Sequence, residues 1–136
     1  MHGRRIMLVD DDDFVREGME MMLEADGYRV RATRSGHEAL RWLDDQPCDL
    51  LIADFNMPEM DGPALYRRVL ARWPTSAPRV LFVSGYDEVR GRYENGPEVL
   101  AAPLLVKPFS LDDLREAVVR ALEQSPVGRD RAWSRS

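Results

Sequence analysis

The chain has 136 residues, 19 basic and 24 acidic side chains, a net charge of −5 and 44% apolar residues, enough for one domain with its own core and no stapling cross-links. Its negative balance argues against non-specific nucleic-acid binding by the chain as a whole, although Arg129, Arg131 and Arg135 make the C-terminal end locally basic. A lone cysteine, Cys48, excludes an internal disulfide, and the apolar run behind Arg4 and Arg5 is too short for a signal peptide or a membrane span, so a cytoplasmic protein is expected.

Ile6-Met-Leu-Val9 is a continuous apolar run, as in a strand covered on both faces, and it stops at an unbroken acidic run, Asp10 to Asp13. From Phe14 to Ala25, the residues Val15, Met19, Met22 and Leu23 fall at helical spacings, with Gly27 as a terminator. Tyr28 to Thr33 alternates apolar and basic residues as a half-exposed strand does. Ser35-Gly-His-Glu38 then reads as a capping box that opens a helix ended by Asp44, Asp45 and Pro47. Cys48 and the methionines from Met19 to Met22 are read as core, and His37 as an exposed helix residue.

The pattern repeats. Leu50-Leu-Ile-Ala53 is a third strand ending in Asp54, and Asn56 to Gly62 is a loop by its turn residues. Pro63 suits the first turn of a helix reaching Arg72. After the break at Pro74 to Pro78, Val80-Leu-Phe-Val83 is a fourth strand ending in Ser84. A weak, charged helix is expected over Asp87 to Tyr93. Leu104-Leu-Val106 is a fifth strand ending in Lys107, and Ser110-Leu-Asp-Asp113 caps a last helix carrying Leu114, Val118, Ala121 and Leu122. The domain is expected to span residues 1–124, with 125–136 a disordered tail and no output domain following.

Strands alternating with helices through short connections imply an α/β three-layer sandwich, a flavodoxin-like (βα)5 fold with a parallel five-stranded sheet of order 2-1-3-4-5. Its functional crevice lies beyond the carboxyl ends of the central strands. The residues there are Asp10 and Asp11 after the first strand, Asp54 after the third, Ser84 after the fourth and Lys107 after the fifth. Three carboxylates gathered so closely stay ionised together only around a shared cation. All-oxygen ligands favour Mg²⁺ or Mn²⁺ over Zn²⁺ and leave positions for water and a phosphate oxygen. The chemistry suggested is phosphoryl transfer, with Asp54 as the nucleophile that forms an acyl phosphate and Lys107, the only lysine beside 18 arginines, as a compact compensating charge.

Four motifs in this order and spacing, Leu8-Val-Asp-Asp11, Leu51-Ile-Ala-Asp54-Phe-Asn-Met-Pro58 with Met60-Asp-Gly62, Val83-Ser84-Gly85, and Val106-Lys107-Pro108-Phe109, make the chain resemble a response-regulator receiver domain of two-component signalling over about residues 4 to 123. The resemblance implies that Asp54 is the phosphoacceptor, Asp11 a direct metal ligand, and Asp10 an acid acting largely through metal-bound water. The backbone carbonyl of Asn56 completes the protein's share of an Mg²⁺ shell. Ser84 matches the hydroxyl that bonds the phosphoryl group, Lys107 the lysine that pairs with it, and the Lys107-Pro108 bond is expected to be cis. The implied partners are a histidine kinase or histidine phosphotransfer protein as donor, and a downstream protein reached through the face of the helix expected over 87–93, the fifth strand and the last helix. Autodephosphorylation is implied, at a rate set by Asn56 and Tyr86. No direct nucleic-acid or membrane partner is implied, and the chain is expected as a monomer or weak dimer. The Lys-Pro-Phe-Ser pattern is similar to receivers attached to hybrid histidine kinases as well as to free-standing ones.

Two features depart from the family. Leu104 stands where many receivers hold a Tyr or Phe that rotates on phosphorylation, which puts an aromatic switch in question. Tyr86 to Ala102 carries Gly91, Gly96 and Pro97 and leaves little regular helix. Two other readings are weighed against a working receiver. A phosphatase of the haloacid-dehalogenase type would need Asp-x-Asp at its nucleophile, whereas Asp54-Phe-Asn56 lacks the second acid. A pseudo-receiver that only binds partners is disfavoured by the intact Asp10, Asp11, Asp54, Ser84 and Lys107.

Overall fold

The structure is a computed structural model that describes residues 3–85 and 102–123. Strands β1 (Arg5–Val9), β2 (Arg29–Thr33), β3 (Leu50–Asp54), β4 (Arg79–Gly85) and β5 (Leu104–Lys107) alternate with helices α1 (Asp13–Ala25), α2 (Gly36–Asp45) and α3 (Gly62–Arg72) until β4, and α4 (Leu111–Glu123) follows β5. The helix expected over 87–93, Tyr86 and the expected tail from 125 lie outside the described residues.

All strand pairs are parallel, and the sheet order is β2-β1-β3-β4-β5, as expected from the alternation of elements. Successive side chains on a strand point to opposite faces, and that alternation divides the core. Met7, Val9, Leu51, Ala53, Val80 and Phe82 pack under α2 and α3, while Ile6, Leu8, Leu50, Ile52, Leu81 and Val83 pack under α1 and α4. All five residues of β3 are buried, which is why its sequence reads as one apolar run and why a carboxylate at its end is unusual.

The acidic run divides where the chain turns from strand to helix. Asp12 is the N-cap of α1, its Oδ1 accepting from the backbone N–H of Phe14 (3.0 Å) and of Val15 (3.2 Å), and Asp13 opens the helix. Both lie where acids favour the positive end of a helix. At Ser110 a reciprocal box forms: the Asp113 N–H donates to Ser110 Oγ and the Ser110 N–H to Asp113 Oδ2, each at 3.0 Å. At Ser35 only half of the expected box exists. Ser35 Oγ accepts from the Glu38 N–H at 3.2 Å, but the Glu38 carboxylate accepts from the Thr33 hydroxyl, whose oxygen in turn accepts from the Ser35 N–H at 3.1 Å. Thr33 competes successfully because it is itself buried and must be satisfied.

The methionines separate by helical phase. Met19 and Met22 are buried in the core, whereas Met21 points outward at 72% exposure, as does Phe14 at 87%; the core reading of the whole Met19 to Met22 stretch therefore fails at Met21. Cys48 is half-buried against the core, its thiol donating to the Leu50 carbonyl at 3.4 Å. Burial pushes that thiol's pKa up to about 12. Among the described residues no helix is long and apolar enough to cross a membrane.

Candidate functional site

Parallel pairing in register brings the strand ends to one edge. Val9 lies beside Ala53 and Asp54 beside Val83, so the residues that follow, Asp10 and Asp11 after β1 and Ser84 after Val83, meet the end of β3. The Asp10 N–H continues the β1–β2 ladder by donating to the Thr33 carbonyl at 3.1 Å. This bond and the Arg16 guanidinium, which donates to the Asp10 carbonyl at 2.8 Å, fix the backbone that carries the acid.

Carboxylate oxygens of Asp10, Asp11 and Asp54 lie within 4.8 Å of one another. Asp10 and Asp54 are only 1% and 4% exposed, and Ser84 is fully buried; Asp11 is half-buried. Asp10 Oδ1 accepts from the Asp12 N–H at 2.9 Å. The Lys107 ammonium sits 3.8 Å from Asp10 Oδ2 and 3.7 Å from Asp54 Oδ1, aimed between the two buried acids from the end of β5. Ser84 Oγ donates to the Gly85 carbonyl at 3.2 Å. Asn56 is exposed in the loop leaving β3, and the Lys107–Pro108 peptide bond is cis, as the resemblance implies.

The electrostatics of the cluster follow from burial. Asp10 is held above the ordinary carboxylate range, first by loss of solvation and then by the charges of Asp11 and Asp12, while the Asp12 N–H and Lys107 oppose the shift. Asp13, just outside, is held below that range by its hydrogen bond to Arg16 and by Arg34. One ammonium among three carboxylates leaves a charge deficit at the cluster, and the donors are all hard oxygens. That set fits Mg²⁺ or Mn²⁺, which take few carboxylates and retain water, and not the nitrogen and sulfur environment of zinc.

Gly62 stands in the motif Met60-Asp-Gly62, but the sequence gives no sign of its place beside Asp54. It begins α3 behind the N-cap Asp61, and a Cβ there would stand 2.6 Å from the backbone oxygen of Asp54. Nothing local in the sequence marks this approach, because it joins residues on two elements.

The family model of the response regulator receiver domain matches residues 6–119. The chain belongs to this family. Among relatives, the receiver protein CpdR of Brucella abortus (strain 2308) is 34% identical over 119 residues, which are 88% of this chain and 97% of CpdR. The sensor kinase CckA of the same organism is 38% identical over 121 residues, covering 88% of this chain and 12% of the kinase. The transcriptional regulatory protein GlrR of Escherichia coli (strain K12) is 33% identical, covering 94% of this chain and 28% of GlrR. The receiver thus spans no more than 28% of the first relatives it matches. Of solved structures, the chemotaxis protein CheY4 of Vibrio cholerae is similar with a TM-score of 0.78 and 27% identity, over 88% of this chain and 98% of that one. A sensor protein from Polaromonas sp. JS666 is similar with a TM-score of 0.77 and 26% identity, over 88% and 96% of the two chains. Two-component signalling is the setting of this receiver, and the flavodoxin-like sheet order is the receiver's order.

Proposed function

We propose that this receiver accepts a phosphoryl group on Asp54 in a Mg²⁺-dependent reaction and relays the signal by a change of conformation. The observation that carries the proposal is the meeting of Asp10, Asp11 and Asp54 within 4.8 Å under a single ammonium 3.7 Å from Asp54. Asp11, Asp54 and the Asn56 carbonyl would hold the ion directly and Asp10 largely through water. The bound ion supplies charge neutralisation to the transferring phosphoryl oxygens.

In the transfer, an Asp54 carboxylate oxygen forms the new bond to phosphorus as the bond from phosphorus to the donor's histidine nitrogen breaks. The ring, carrying a proton on its other nitrogen, takes that electron pair and leaves as neutral imidazole. Lys107 compensates the charge arriving on the phosphoryl oxygens, and the Ser84 hydroxyl turns from the Gly85 carbonyl to donate to one of them. The acyl phosphate adds roughly one to two negative charges where Lys107 now faces two carboxylates. Drawing Ser84 and Lys107 toward that charge moves the ends of β4 and β5, and the signal leaves through the face beside β5 and α4 to a downstream protein. With Leu104 packed against the core under α2 and α3, the switch runs through the backbone of β4 and β5 without an aromatic rotor. The chain acts as a regulatory phosphoacceptor that also hydrolyses its own acyl phosphate, with Asn56 and Tyr86 setting the rate.

The donor is a histidine kinase or a phosphotransfer protein. A groove of about 600 Å³ runs between α1 and the start of α4 and reaches Lys107. Phe14, Met21 and Leu111 rim it at 87%, 72% and 57% exposure, and Gly18 leaves a gap between Phe14 and Met21. Apolar residues exposed beside a phosphoacceptor suit a helix that carries the phosphohistidine.

Incubation with phosphoramidate and Mg²⁺ tests the proposal by intact mass: a gain of ~80 Da, absent in EDTA and in Asp54→Ala, is expected for an acyl phosphate. A gain that persists in Asp54→Ala overturns it. Phe14→Asp should leave that small-molecule reaction intact while slowing transfer from a kinase, and equal slowing of both removes the docking role of the groove.

A further inference from the structure

The phosphoacceptor strand ends against the first residue of α3. Asp61 caps that helix by accepting from the Ala64 N–H at 2.8 Å, and the Gly62 N–H donates to the Phe55 carbonyl at 3.3 Å. The Gly62 Cα is thereby pressed on the peptide of Asp54. A Cβ at 62 would stand 2.6 Å from Asp54 O, 3.1 Å from Asp54 C and 3.3 Å from Phe82 Cδ1. The backbone of Gly62 is not in the left-handed region, so its conformation does not demand glycine; the space does. The nearest atoms belong to the backbone of β3 and cannot turn aside as a side-chain end can.

Gly36 offers a contrast close by. Its added Cβ would meet Met60 Sδ at 3.2 Å, the flexible end of a side chain that can yield by a few tenths of an ångström. Met60 lies in the same β3–α3 loop, so both glycines border one segment, but only Gly62 bears on Asp54.

We infer that Gly62 is a positioning residue for the phosphoryl-accepting carboxylate: its lack of a side chain lets the start of α3 act as a stop that sets how far Asp54 extends toward Asp10, Asp11 and Lys107. The inference rests on the reading of Asp54 as phosphoacceptor. Any side chain at 62 must open the contact from 2.6 Å to the 3.4 Å of ordinary van der Waals distance, a displacement of about 0.8 Å shared between α3 and the end of β3. A misplacement of about 1 Å at a reacting group costs up to about a hundredfold in rate. Asp54 is held on its other side by pairing with Val83 and by the Phe55 N–H donating to the Val83 carbonyl at 2.9 Å, so the shift tilts the carboxylate within the cluster and leaves the sheet order unchanged.

The test compares wild type, Gly62→Ala and Gly36→Ala by the rate of phosphoramidate-driven mass gain, by the Mg²⁺ concentration for half-maximal rate, by far-ultraviolet circular dichroism, and by amide ¹H–¹⁵N shifts without Mg²⁺. Gly62→Ala should keep the wild-type dichroism, shift the amides of Asp54 and Phe55, require several-fold more Mg²⁺, and lose about ten- to a hundredfold in rate. Gly36→Ala should stay within twofold of wild type. A Gly62→Ala variant with wild-type rate and Mg²⁺ requirement overturns the inference. So does one that is unfolded at 25 °C, because the contact would then serve the packing of the whole domain and not one carboxylate. Absence of any mass gain in wild type is a separate failure, that of Asp54 as phosphoacceptor, and the amide shifts of Asp54 still report whether its peptide moves.

Discussion

Replacing Asp10 by Asn should make the metal-free domain more stable while weakening its response to Mg²⁺. Two like-charge pairs involve Asp10, with Asp11 and with Asp54, both with oxygens within 4.8 Å. At an effective dielectric of about 20 each costs about 3.5 kcal/mol, or about 7 together. The Lys107 ammonium at 3.8 Å returns about 4.4 kcal/mol on the same scale, leaving a net repulsion of about 2.5 kcal/mol. Half-exposure of Asp11 weakens its share, so a stabilisation of about 1 to 3 kcal/mol is expected. Asn keeps an oxygen to accept from the Asp12 N–H, which holds Asp10 Oδ1 at 2.9 Å, and so preserves the turn. Urea denaturation followed by circular dichroism, in EDTA and in millimolar Mg²⁺, reads the effect. Wild type should gain stability from Mg²⁺ by mass action, and Asp10→Asn should start higher and gain less. An Asp10→Asn variant less stable than wild type in EDTA, or equally stabilised by Mg²⁺, refutes the idea that the cluster is a strained cation site.

Four further outcomes follow from the same structure. Because Asp10 is held above its usual value of 3.8, its contribution to folding is present below that value and lost as pH rises through the raised one; in EDTA, wild type should lose stability relative to Asp10→Asn from about pH 4 upward, and parallel pH profiles would contradict this. Lys107→Arg should impair phosphorylation-dependent partner binding more than charge conservation suggests, since a planar guanidinium cannot sit as one point between two buried acids; binding at wild-type affinity would count against it. Glu59, a non-glycine residue at φ 68°, should yield about 1 kcal/mol of stability on replacement by Gly, read as a shift in the urea midpoint. Cys48, its thiol pushed up to about 12, should react with iodoacetamide at pH 8 orders of magnitude more slowly in the folded chain than in urea.

What could be read from sequence was what repeats locally. The runs Ile6 to Val9 and Leu50 to Ala53 announce buried parallel strands because both of their faces are covered, and strand order then places the residue after each run at one edge. That logic assembles Asp10, Asp11, Asp54, Ser84 and Lys107 from the sequence alone. The division of Asp10 to Asp13 was also legible, since a strand end and a helix cap make different demands on an acid. Contacts between elements were not. Gly62 against the Asp54 peptide, and Glu38 taken by Thr33 instead of closing a box at Ser35, depend on where two distant segments meet. Phe14 and Met21 were hidden differently: period 3.6 separates an inward from an outward face, but an apolar residue on the outward face looks like core until the helix is placed.

The proposed site of the phosphoryl group is Asp54, the buried acid that ends β3. Borohydride cleaves an acyl phosphate and reduces its carbonyl, converting the aspartate to homoserine, and the converted position can be found by peptide mass spectrometry. After phosphoramidate and Mg²⁺, conversion is expected at residue 54 and at no other acid, with none in EDTA. Conversion at Asp10 or Asp11 in place of Asp54, or a stable phosphoryl group that borohydride leaves untouched, would contradict phosphorylation at Asp54.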